Sequence, residues 1–117
     1  YDRPVLSTDI FATIHAAAGV AKPKGEYIES NDLLPYLTGK QKEDPHESLF
    51  WRQSHKTAFR VGDMKILRQS PKKWELYDLG KDPAETKDLI EDQPEQFNLL
   101  FNRWEKINGN MVDPHFR

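Results

Sequence analysis

The sequence predicts an α+β fold: a four-stranded antiparallel sheet with a C-terminal helix packed across it. Two observations carry this. Four short stretches of strand-forming residues lie between 48 and 79, joined by connections too short for crossovers, so antiparallel neighbours are the economical topology. Near the C-terminus, Phe97, Leu100, Phe101, Trp104 and Ile107 fall at the i, i+3, i+4, i+7 and i+10 positions of one helical stripe. A sheet and a helix that each bury one face make a two-layer domain. The chain of 117 residues suffices for one such core, and its 11% aromatic content compensates for a high charged fraction of 31%.

The first element is a helix over STDIFATIHAAAG. Ser7 or Thr8 can cap it, Asp9 complements the positive end of its dipole, and Gly19 suits its stop. Ile10, Phe11, Ile14, Ala16, Ala17, Ala18 and Val20 cover nearly the whole circumference of its C-terminal half. A helix so apolar requires burial on more than one side. Residues 22–30 read as loop. Asn31 to Leu37 reads as a short helical turn, limited by Pro35 and closed by Gly39, and a polar loop follows.

The strands are SLFWRQ (48–53), KTAFRV (56–61), MKILRQ (64–69) and WELYDL (74–79). Gly62-Asp63 is a two-residue hairpin turn between the second and third. Phe59 and Val61, then Met64, Ile66 and Arg68, alternate toward one face, as do Trp74 and Leu76 against Glu75 and Tyr77. The last strand runs into Asp78, Gly80 and Asp82-Pro83, ordinary turn-forming chemistry. The final helix, PEQFNLLFNRWEKIN, places Pro94 near its first position behind Asp92 or Gln93, with Gly109 as its stop.

Composition excludes several classes. A net charge of −2, with acidic and basic residues interleaved, is unlike the cationic stripe that nucleic acid requires. No apolar run is long enough to span a membrane, so neither nucleic acid nor membrane is an expected partner. The absence of cysteine rules out disulfides and thiolate metal sites. A catalytic constellation is also missing: there is no G-x-S-x-G, no phosphate-cradling glycine loop and no H-E-x-x-H. His15 reads as a packed helix residue, His46 as solvated in its loop, and His115 as part of an aperiodic tail. The acidic group Asp78, Asp82, Glu85 and Asp88 lacks the spacing of a calcium loop. No residue is therefore assigned to catalysis or to a metal. The remaining candidates are His55 and Arg52, in the run WRQSHK at the tip between two strands. An arginine fork and a neutral-pH donor or acceptor on a rigid sheet suit contact with a substrate.

The succession DIFATIHAAAGV, SNDLLPYLTGK, ESLFWRQ, AFRVGDMKILR and WELYDLGKDPAETKDL resembles the C-terminal end of the sulfatase family, in the alkaline-phosphatase-like superfamily. The resemblance covers residues 5 to about 104. It implies a small C-terminal subdomain packed on a larger α/β domain, to whose edge the first helix would belong. Residues 1–40 are then a helical segment that packs on that domain, and 41–117 the sheet-plus-helix subdomain. The family hydrolyses sulfate esters with a formylglycine made within C/S-x-P-x-R, and with a calcium ion. The chain contains neither that motif nor the family's metal and sulfate ligands, so the resemblance implies a fragment that binds neither cofactor itself. It implies an N-terminal sulfatase domain as partner, a sulfated small molecule or glycan as the parent's substrate, and a periplasmic or extracellular location. Arg60 and Lys65 match recurrent family positions, where charge pairing between sheet and main domain is the implied role. A related phosphoesterase or phosphonate hydrolase, or a free-standing binding module, are the alternatives.

Overall fold

The computed structural model describes residues 1–21 and 29–112. His115 lies outside them. The chain forms two compact units, Tyr1–Glu47 and Ser48–Arg117.

In the first unit, α1 (Asp9–Ala17) is followed by the single turn α2 (Leu34–Leu37). The second helix starts three residues later than the sequence suggests. Asp32 uses its side chain to accept the Leu34 N–H at 2.9 Å, and Pro35 then sits in the first turn, where its missing N–H costs nothing. Pro35 therefore opens this helix; Gly39, with φ +73°, closes it.

Asp9 does more than complement a dipole. Its side chain is fully buried, and it accepts the backbone N–H of Leu6 at 2.7 Å and of Asn31 at 2.8 Å. His46, expected to be solvated, lies beneath the surface instead, with Nε2 at 2.7 Å from the second Asp9 oxygen. An ionised carboxylate only accepts, so this ring carries its proton on Nε2. Asn31 then binds the Pro45 carbonyl through its side-chain amide and lies 3.4 Å from His46 Nδ1. Burial works to raise the Asp9 carboxyl, but the Asn31 N–H, the His46 ring and the Leu6 N–H outweigh it, leaving the pKa below its ordinary 3.8. The outer side of α1 keeps Ile10 and Ile14 exposed.

The second unit is the predicted two-layer domain. Strands β1 (Leu49–Gln53), β2 (Lys56–Val61), β3 (Met64–Ser70) and β4 (Lys73–Asp78) form an antiparallel sheet in sequence order, and α3 (Pro94–Gly109) covers one face. The register aligns Phe50, Phe59, Ile66 and Leu76 across all four strands. With Leu100 and Trp104 from α3, Phe59, Ile66 and Leu76 make the core. Gly109, expected as the stop, is the last helical residue, and Asn110 caps the helix.

The turn after β4 uses its acidic residues as backbone acceptors. Asp78 takes the Gly80 N–H at 3.1 Å, Asp82 takes the N–H groups of Thr86 and Lys87 at 2.7 and 2.9 Å, and Asp88 takes those of Leu76 and Ile90 at 3.0 Å each. Glu85 pairs with Lys65 at 2.5 Å. Gly80 approaches the Asp63 side chain closely: a Cβ there would lie 2.7 Å from Asp63 Oδ2 and 3.0 Å from its Cγ, so the carboxylate would have to turn aside. The turn is drawn that close because the Leu79 N–H bonds the Asp63 carbonyl at 2.8 Å, tying the end of β4 to the Gly62-Asp63 hairpin.

Candidate functional site

Ser54 and His55 form a two-residue turn between β1 and β2, and Ser54 takes φ +55° there. His55 is exposed at its tip. The turn is held by an arginine near the C-terminal end of β3. Arg68 donates from Nε to the His55 carbonyl at 3.0 Å. Its guanidinium carbon lies 5.1 Å from the centre of the Trp74 ring and 5.5 Å from that of Trp104. Cation–π attraction to two indoles fixes the arginine, and the arginine fixes the turn. The Arg68 alternation toward the helix face was legible in the sequence; its bond to a residue 13 positions earlier was not.

A second tie runs through β2. Trp104 Nε1 donates to Thr57 Oγ1 at 2.9 Å, and Thr57 Oγ1 donates to the Trp51 carbonyl at 2.8 Å. The buried Thr57 hydroxyl thus links buried Trp104 of α3 to the strand entering the turn.

Arg52 sits on the helix-facing side of β1, in register with Thr57. One guanidinium nitrogen donates to Asn108 Oδ1 at 2.8 Å and another to the Val112 carbonyl. Arg52 and His55 therefore do not converge: the arginine fork anchors the end of α3, while the imidazole points to solvent. Lys56, beside His55, is exposed. Arg60 and Lys65 pair locally, with the Gly62 carbonyl and with Glu85 respectively. His15 behaves as a packed helix residue, its Nδ1 2.9 Å from the Phe11 carbonyl and its ring 4.1 Å from that of Phe11.

No family model matches the chain. The human steryl-sulfatase is 41% identical to it over 49 residues, which are 42% of this chain and 8% of that protein. Among solved structures, Ps i-CgsB in complex with a neocarrahexaose superposes on 97% of the chain and 26% of its own, with a TM-score of 0.78 and 19% identity. A 2-O glycosaminoglycan sulfatase covers 87% of the chain and 25% of its own, with a TM-score of 0.61 and 22% identity. A third protein, solved with its substrate D-glucosamine-2-N,6-O-disulfate, covers 86% and 23%, with a TM-score of 0.67 and 20% identity. This is the fold of the sulfatase C-terminal subdomain. The chain spans about a quarter of the length of the solved chains it matches. These relatives favour the sulfatase reading over a phosphoesterase or a free-standing module.

The acidic groups of the subdomain do not suit a calcium shell. The carboxylates of Asp78, Asp82 and Asp88 are directed at backbone N–H donors in their own turn, and Glu85 at Lys65. Among the described residues no helix is long and apolar enough to cross a membrane.

Proposed function

We propose that the chain is the C-terminal part of a larger sulfuric ester hydrolase, of arylsulfatase type, which supports the catalytic domain and forms one wall of its substrate cleft. The observation that carries this is the conjunction of a steryl-sulfatase match, at 41% identity, with a sulfatase fold over nearly the whole chain. Formylglycine and calcium would supply the sulfuryl-transfer chemistry from residues of the parent outside this chain. The helical segment with exposed Ile10 and Ile14 would pack on that catalytic domain, because contiguous apolar surface of this kind marks a partner. Export to a periplasmic or extracellular space fits the same reading.

His55 is the substrate-facing residue of the proposal. Its turn is braced from behind by Arg68, so an imidazole there keeps a fixed position against a sugar hydroxyl or a second anionic group. Arg52 acts differently: it pins the end of α3 to β1, and so supports the same wall from within. The sulfated sugars bound by neighbours of this fold make a sulfated glycan the natural substrate class.

In the intact parent, His55→Ala should lower kcat/KM for a sulfated oligosaccharide by about 1–3 kcal/mol, the worth of a hydrogen bond to a charged group. Hydrolysis of a small aryl sulfate, which does not reach the turn, should change little. Equal losses on both substrates, or none on either, would remove His55 from the substrate wall. The isolated 117 residues should leave an aryl sulfate untouched, with or without calcium.

A further inference from the structure

The sheet has a second face, opposite α3. Trp51 of β1 pairs with Ala58 of β2, and Ala58 pairs with Leu67 of β3. Side chains in this row all point away from the helix, because the flanking residues Phe50, Phe59 and Ile66 point toward it. A methyl group between an indole and an isobutyl group leaves a trough along the middle strand. It measures about 480 Å³, within the range of small-ligand sites. The Trp51 side is open, with the residue 43% exposed.

The next row toward the hairpin is polar. Gln53 pairs with Lys56, and Gln69 follows Arg68, the partner of Thr57, so it falls opposite Lys56. All three line the groove. Among the described residues none of their side chains has a hydrogen-bond or ion-pair partner. Gln53 and Lys56 also flank the Ser54–His55 turn, so the groove is continuous with the proposed substrate wall.

We propose that this groove binds one pyranose ring of an anionic oligosaccharide, with the sugar's C–H face on the Trp51 indole and an anionic substituent on Lys56. The chemistry of the row matches such a ring. The negative face of the indole attracts polarised C–H bonds, the two carboxamides offer both donors and acceptors to hydroxyls, and the ammonium meets a sulfate or carboxylate. A hydrocarbon ligand would use the indole and leave the polar rim idle; an inorganic anion would use Lys56 alone. The inference deepens the substrate-wall reading and rests on it for the source of the sugar. A chain lying across the His55 turn would run on to Trp51.

The test titrates the 117-residue chain with tetrasaccharides of three kinds, from sulfated galactan, chondroitin sulfate and heparan sulfate. Desulfated counterparts, inorganic sulfate and a short polyacrylate serve as controls. Binding is read from the NMR shifts of the Trp51 indole N–H and of the Gln53 and Gln69 side-chain amides. At least one sulfated tetrasaccharide should saturate all three. Trp51→Ala should weaken it about tenfold, equivalent to about 1.4 kcal/mol, while Trp51→Phe keeps most of the affinity. Lys56→Gln should bring the sulfated ligand to the level of its desulfated counterpart. Trp51 is half exposed, so an unchanged urea midpoint establishes that its variants remain folded. No saturable shift at Trp51 with any saccharide, wild-type affinity in Trp51→Ala, or equal binding of polyacrylate would each overturn the proposal. If the parent releases sulfate from an aryl sulfate while this chain ignores every saccharide, the groove alone is lost. If the parent releases no sulfate, the sulfatase reading is lost whatever the groove binds.

Discussion

Trp104 is where the sheet, the helix and the His55 turn meet, and its truncation should be the most damaging single change in the second unit. The residue is 6% exposed. Its ring stands at 73° to Trp74 with centroids 4.8 Å apart, and lies 5.5 Å from Phe101. Each such aromatic contact is worth about 0.5–1.5 kcal/mol, the Arg68 cation about 0.5–1, and the hydrogen bond to Thr57 about 1. These contributions share atoms and do not simply add, but they agree with the cost of about 3–5 kcal/mol for truncating a buried tryptophan. For a unit of this size, with total stability of about 5 kcal/mol, Trp104→Ala leaves little or nothing. With a urea slope of about 1 kcal/mol per M, the midpoint should fall by about 3 M or more. Trp104→Phe keeps the ring contacts and loses the Thr57 bond, so an intermediate loss is expected. Glu105→Ala, on the exposed side, should stay within about 0.5 kcal/mol. Helix content followed by circular dichroism through a urea titration gives all three midpoints. Equal midpoints for Trp104→Ala and Glu105→Ala would refute the packing described above.

Two further outcomes concern the turn and the helical unit. Gly80→Ala should cost about 1 kcal/mol because its methyl meets Asp63, and Asp63→Ala should relieve most of that cost; strict additivity of the two in a double-mutant cycle would show that the close approach is not the constraint. Asp9 has a folded pKa below its ordinary 3.8, so its contribution is complete above that pH and is lost as pH falls through 3.8 toward the folded value. On acidification below 3.8, the protection factors of the Leu6 and Asn31 amides, corrected for the intrinsic pH dependence of exchange, should therefore fall before that of Ile66 in the inner strand β3 does. Asp9→Ala should produce the same loss of protection at neutral pH, and protection factors at Leu6 and Asn31 that do not change with pH would contradict the role given to this carboxylate.

The sheet was legible because its signals are local. Short connections set the strand order, Gly62-Asp63 set the register of β2 on β3, and the stripe from Phe97 to Ile107 marked the face of α3 that meets the sheet. The misread parts depend on distant partners. His46 is solvated by any local criterion, because it follows Asp44-Pro45 in a polar loop; its partner Asp9 is 37 residues away. Arg52 reads as a free anion fork until Asn108, 56 residues on, takes one of its nitrogens. Alternation along β1 puts Trp51 and Gln53 on one face, but only the cross-strand register shows that Ala58 leaves a trough beside them. Gly80 reads as ordinary turn chemistry, and the carboxylate that crowds it, Asp63, belongs to the hairpin between β2 and β3.

In the reading proposed for this chain, it completes an enzyme that cleaves sulfate esters. The decisive experiment expresses the full-length parent and compares the release of inorganic sulfate from an aryl sulfate with the release of phosphate from the matching aryl phosphate. The expected result is turnover of the sulfate ester, strong preference for it over the phosphate, and loss of folded enzyme when residues 48–117 are deleted. Preferential hydrolysis of the phosphate, or full sulfatase activity without residues 48–117, would contradict it.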